Sequence, residues 1–159
     1  MALERAVGLQ PDDAPTREAL GYAYMMAGRY EEAAGSYRMA VKNGSQSAHT
    51  HYWLGACHHH LGRTADALSE YELARAGGVD DLALLRALGG LYDHANRLAE
   101  AAQAYEQLLG KLPADPDVRY TVGVCYHRLG QRDRAHAQYR HLRPISATKA
   151  EALYRIMLG

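Results

Sequence analysis

Apolar residues along the chain recur at helical spacing in short stretches of three to four turns, and polar residues with a Gly or Asn separate one stretch from the next. This pattern predicts helices at 15–27, 30–43, 48–61, 64–76, 82–95, 98–110, 116–129 and 132–142, with flanking helices at 3–9 and 149–158. No stretch alternates with the period of two that a strand requires, so the expected fold class is all-α.

The stretches are copies of one another. Leu20-Gly21, Leu54-Gly55, Leu88-Gly89 and Val122-Gly123 recur every 34 residues. Three residues after each Gly stand Tyr24, His58, Tyr92 and Tyr126. The same period carries Gly28, Gly62, Asn96 and Gly130, then Ala33, Ala67, Ala101 and Ala135, then Tyr37, Tyr71, Tyr105 and Tyr139. A further column reads Ala6, Ala40, Ala74, Leu108 and Leu142, and no insertion breaks the register. Each column has a physical reason. The Gly/Asn column lies between two helical stretches, where a left-handed residue ends the first helix and permits a tight turn. The Gly and Ala inside the helices weaken helix propensity, which is explained if a second helix packs closely there. The Tyr column would fill the space beside those small residues.

This arrangement resembles the tetratricopeptide-repeat family, whose 34-residue unit carries Trp-x2-Leu-Gly-x2-Tyr, a later Ala-x3-Phe and a closing Pro. The resemblance implies a right-handed α-solenoid of four helix-turn-helix repeats, copies 14–47, 48–81, 82–115 and 116–149, forming one domain over 1–159. The chain departs from the pattern in places. Arg17, His51, Leu85 and Arg119 stand at the Trp position, His58 replaces one core Tyr, and the closing Pro survives only as Pro113. A partial repeat occupies 2–13, where Ala6 and Pro11 keep register, and Ala150 to Leu158 reads as one amphipathic helix. That last segment suits either a terminal cap or the first helix of a fifth copy. The expectation is a piece of a longer solenoid whose exposed ends associate with other chains.

The resemblance also implies a concave groove lined by the first helices of successive copies. It places Glu18, Tyr22, Met25 and Met26 there from the first copy, and His49, Tyr52, Ala56, His59 and His60 from the second. The third copy supplies Ala83, Arg86, Gly90, Asp93 and His94, and the fourth Asp117, Tyr120, Val124, His127 and Arg128. Tyr22, Tyr52 and Tyr120 are of the type enriched at interface hot spots, and the methionines suit an apolar ligand side chain. Ala56 and Gly90 are small enough to leave room for something bulky. Some members of the family hold an acidic C-terminal tail through a Lys/Asn/Arg clamp. The matching positions here are Glu18, Tyr22, Trp53, Ala83 and Ala87, or, one copy later, Tyr52, Ala56, Ala87, Asp117 and Thr121. Neither set can bind the carboxylates of such a tail, so that function is not expected here.

Composition narrows the function further. Eighteen Lys/Arg balance eighteen Asp/Glu, so no global charge steers the chain to nucleic acid or membrane. Locally, 116–159 hold eight basic and three acidic residues, against ten and fifteen in 1–115. The basic stretch lacks the basic–aromatic interleaving of single-strand nucleic-acid surfaces, and no apolar run is long enough to span a bilayer. The expected location is cytoplasmic. Twelve Tyr and no Phe give the aromatic positions polar tips.

Metal and catalysis find little support. In His58-His59-His60 consecutive side chains point about 100° apart, so the three do not share one ion, and none of the nine His has an i, i+4 partner. His59, His60, Asp93, His94 and His127 fall at equivalent places on adjacent helices, which leaves a cross-helix metal site open, but His59, His60, His94 and His127 read first as a titrating, polar groove wall. Cys57 and Cys125 stand two copies apart at one repeat position and read as small buried apolar residues. No phosphate loop, His-Glu-x-x-His or Gly-x-Ser-x-Gly is present. The chain is therefore expected to be no enzyme and to need no cofactor. It is read as a scaffold or adaptor for a protein or peptide partner. Two alternatives stay open: a secretion-type chaperone, which would co-purify with an otherwise insoluble client, and the targeting module of a larger enzyme.

Overall fold

The structure, a computed structural model, describes residues 13–159. The helix expected at 3–9 and nearly all of the partial repeat 2–13 lie outside the described residues. Among the described residues there are nine helices and no strand. They are α1 Ala14–Met26, α2 Tyr30–Lys42, α3 Ala48–His60, α4 Thr64–Ala76, α5 Leu82–His94, α6 Leu98–Lys111, α7 Pro116–Arg128, α8 Arg132–Leu142 and α9 Ala147–Leu158. The chain divides into two compact units at Asp80/Asp81. The first contains hairpins α1/α2 and α3/α4; the second contains α5/α6, α7/α8 and α9.

Side-chain caps mark the starts of α1, α5 and α7. Asp13 accepts a hydrogen bond from the Thr16 N–H at 2.8 Å, Asp81 from the Leu84 N–H at 2.6 Å, and Asp115 from the N–H groups of Asp117 and Val118. Pro116 occupies the first turn of α7, where a missing N–H costs nothing. Inside each hairpin the first helix ends in one repeated turn. Gly28, Gly62, Asn96 and Gly130 take φ of 72°, 71°, 57° and 71°. The next residue then donates its N–H back to the residue five earlier: Arg29 to Tyr24, Arg63 to His58, Arg97 to Tyr92 and Gln131 to Tyr126, at 2.8–2.9 Å.

Close packing explains the helical glycines in three of the four copies. A Cβ on Gly21, Gly55 or Gly89 would meet the ring of Tyr37, Tyr71 or Tyr105 at 3.0, 2.8 and 2.7 Å. The fourth copy departs from expectation. There a Cβ on Gly123 would meet Leu153 of α9 at 2.5 Å, and Tyr139 is only half-buried, its ring 5.3 Å from Tyr154. Helix α9 has taken the space that a core Tyr fills elsewhere.

In the first unit the core gathers Ala33, Ala34, Tyr37, Leu54 and Cys57, with Tyr24, Met25 and Trp53 packed on it. The second unit has one cluster of Leu85, Leu108 and Val118 and another of Leu142, Ala150 and Leu153. His58 is buried in the Tyr column as expected, and among the described residues its Nδ1 has no hydrogen-bond partner. Its substitution also redirects a neighbour. Arg29 and Arg97 lie over the rings of Tyr24 and Tyr92 at 4.4 and 4.6 Å. Arg63, the equivalent residue beside His58, instead grips Glu31 with two hydrogen bonds of 2.5 and 3.0 Å.

Candidate functional site

The first helices of the hairpins carry every residue expected to bind, and each unit presents its own set. In the first unit α1 and α3 bring Glu18, Tyr22 and His49 together around an open pocket of about 320 Å³, completed by Pro15, Ala19, Ser47, Thr50 and Trp53. Glu18 is held by the segment that leads into α3. The hydroxyls of Ser45 and Thr50 both donate to its Oε1, each at 2.5 Å. Tyr22 is 49 % exposed, with its ring 6.0 Å from Trp53 and edge-on at 71°. Met26 is 69 % exposed. Met25 is half-buried instead of standing free, because it packs on the cluster that Ala33, Ala34 and Tyr37 of α2 form with Leu54 and Cys57 of α3.

Tyr52 is less independent of the core than its position suggests. It is half-buried, 4.7 Å from Trp53 and 5.8 Å from the core ring of Tyr71. Ala56 is half-buried. His59 is exposed and edge-on to Tyr71, and the exposed His60 stacks flat on Tyr30 at 4.2 Å and 6°.

In the second unit the acids and bases of the first helices pair off. Arg128 on α7 meets Asp93 on α5, and Lys149 on α9 meets Asp117 on α7 at 2.5 Å. The Lys149 ammonium also lies 5.9 Å from the centre of the half-buried Tyr120 ring. Arg86 and His94 are exposed, and Val124 packs against Leu142, Ala150 and Leu153. Gly90 is half-buried, and a Cβ there would meet only the Tyr105 hydroxyl, at 3.7 Å. His127 lines a second pocket of about 230 Å³ with Arg132, Ala135, His136, Met157 and Leu158. On α9, Tyr154, Ile156 and Leu158 leave apolar surface exposed.

Several of these participants escape a column-by-column reading. Trp53 stands one position beyond the Tyr52 column and Thr50 one position beyond the His49 column, so neither is in the groove set. Lys149 falls in the last helix, outside the groove set. A signal for the ion pairs does exist in the sequence. Glu31–Arg63, Asp93–Arg128 and Asp117–Lys149 join partners 32, 35 and 32 residues apart, close to one repeat period.

The arrangement supplies contact surface and little chemistry. Among the described residues no three His, Cys, Asp or Glu side chains gather to hold a metal ion. Both cysteines are free and buried, and burial pushes each thiol up to about 11. A nucleophilic thiolate at neutral pH is thereby suppressed. No described helix is long and apolar enough to cross a membrane.

Consecutive helix-turn-helix hairpins with a 34-residue period, small residues at the helix crossings and left-handed turns within each hairpin define an all-α repeat protein of the α-solenoid class. Sequence profiles of the tetratricopeptide repeat match residues 2–48 and 94–155. The chain belongs to the tetratricopeptide-repeat family.

Solved structures share the fold. The crystal structure of YrrB, described as a TPR protein with an unusual peptide-binding site, superposes with a TM-score of 0.80 at 18 % identity, covering 98 % of this chain and 84 % of that one. The crystal structure of MamA gives a TM-score of 0.75 at 24 % identity, covering 94 % and 88 %. A tetratricopeptide repeat protein from Parabacteroides merdae gives 0.72 at 19 % identity, covering 91 % and 58 %. No curated protein matches this chain in sequence.

Proposed function

We propose that the chain is a scaffold or adaptor that binds an extended or helical segment of a partner protein on the face of its first helices. The carrying observation is the exposed aromatic wall of the α1–α3 pocket. Tyr22 and Trp53 present ring surface to solvent while the other face of the same helices is sunk in the hairpin cores. Half-exposed Tyr and Trp beside an open pocket are the makings of an interface hot spot. The peptide-binding site of YrrB, a protein of the same fold, adds support.

The test uses photo-crosslinkers placed at Tyr22 and Tyr120 to recover the partner, followed by its dissociation constant for three proteins. Tyr52→Ala should weaken binding about thirtyfold, a hot-spot loss of roughly 2 kcal/mol. Gly90→Leu should weaken it by volume alone, because the added side chain has room to stand on the helix face. A urea melt accompanies Tyr52→Ala, since that ring touches Tyr71. Normal binding by both variants would move the interface to the opposite face or to the basic end.

A further inference from the structure

We propose that the α1–α3 pocket is a receptor for a basic side chain, Arg or Lys, of the bound partner segment. The proposal rests on the peptide-binding reading and names the chemistry that the reading leaves open. Its core is the Glu18 carboxylate, half-buried between two helices. Ser45 and Thr50 both donate to Oε1 and so fix the carboxylate in place; Thr50 is itself only 2 % exposed. Among the described residues the second oxygen, Oε2, accepts no hydrogen bond. No Lys or Arg lines the pocket, and His49 is the only other titratable side chain there besides Tyr22. The site therefore holds a preorganised acceptor carrying a negative charge that the pocket itself does not neutralise.

The walls suit the same ligand. Tyr22 and Trp53 stand edge to face at the pocket, so that ring surface borders the space in front of the carboxylate. Aromatic faces attract a guanidinium or ammonium group, and its N–H groups can reach the open carboxylate oxygen in a charge-assisted hydrogen bond. An acidic side chain would be repelled by Glu18. An apolar one would strip water from a charged oxygen and return no hydrogen bond.

The second unit provides the contrast. Its acids on the corresponding helices, Asp93 and Asp117, already have cationic partners in Arg128 and Lys149. Glu18 is held by hydroxyls in place of a cation, which leaves its charge for a ligand.

Trp53 is the only tryptophan of the chain, so its fluorescence reports on this pocket alone. The probes are four blocked tripeptides with Arg, Lys, Glu or Leu between glycines, titrated into the full chain at low salt. The Arg and Lys peptides should shift Trp53 emission saturably and bind about tenfold or more tightly than the Glu and Leu peptides. Glu18→Gln keeps an oxygen for Ser45 and Thr50 and removes the charge, so it should erase most of that preference. In the unaltered protein, raising salt from about 0.05 to 0.5 M should weaken the Arg peptide and leave the Leu peptide unchanged. This arm holds even if Glu18→Gln folds poorly. Equal binding of all four peptides would overturn the basic preference and leave the peptide-binding face standing. Silence of Trp53 towards every peptide would overturn both at this pocket. A salt-independent Arg peptide, or a folded Glu18→Gln that binds it as the parent does, would overturn the role of Glu18.

Discussion

Gly35→Ala and Gly55→Ala make the same chemical change in neighbouring helices of one unit and should have opposite effects. Gly35 lies within α2 and Gly55 within α3. Each variant gains about 1 kcal/mol of helix propensity. At Gly35 the added Cβ meets nothing within 4 Å, so the gain is kept. At Gly55 it would stand 2.8, 3.1 and 3.1 Å from three atoms of the Tyr71 ring, well inside the roughly 3.5–4.0 Å of a relaxed carbon contact. The ring has little freedom to yield. It is 4 % exposed and bordered by the rings of Tyr52 and His59 at 5.8 and 6.3 Å. Overpacking of this kind costs about 1–3 kcal/mol. Gly55→Ala should then be destabilising by about 0–2 kcal/mol net, and the two variants should differ by about 1–3 kcal/mol. In urea unfolding, with a slope of about 2 kcal/mol/M, their midpoints should separate by about 0.5–1.5 M. A double-mutant cycle isolates the cause, because in a Tyr71→Leu background Gly55→Ala should lose most of its cost. If Gly55→Ala raises the midpoint as far as Gly35→Ala does, the glycine column does not exist for close ring packing.

Two further outcomes follow from buried polar groups. The Tyr37 hydroxyl is buried with no hydrogen-bond partner among the described residues, and burial pushes its ionisation upwards, so Tyr37→Phe should stabilise the protein by about 1 kcal/mol in the same urea assay. Cys57 and Cys125, raised by desolvation to about 11, should react with a thiol reagent at pH 8 at least about a hundredfold more slowly than in urea-unfolded chain, as read from the rate of chromophore release. The native state holds these protons after the unfolded state has lost them. The two thiols therefore lower stability as pH rises from about 9 towards 11, and Cys57→Ala should flatten that fall.

Periodicity by itself determined the helices, their hairpin pairing and the turns. Helix spacing and the 34-residue register need only local information, and the residues that carry them, Gly28 and Asn96 among them, act through their own backbone preferences. The core columns were legible for the same reason: a position that recurs faces the same neighbour in every copy. Tertiary structure decided what depends on a neighbour that does not recur. Tyr139 keeps its column but yields its place beside Gly123 to Leu153, because the helix that follows the fourth hairpin packs there. Met25 and Tyr52 share columns with exposed residues, yet each leans on the core through side chains particular to its copy. Arg63 turns to Glu31 because the neighbour in its own hairpin is His58 and not Tyr. The pocket around Glu18 belongs to the same class. Glu18, Thr50 and Trp53 occupy three different repeat positions, and no column joins them. Only the packing of α1 against α3 sets a carboxylate, two hydroxyls and two aromatic rings around one space.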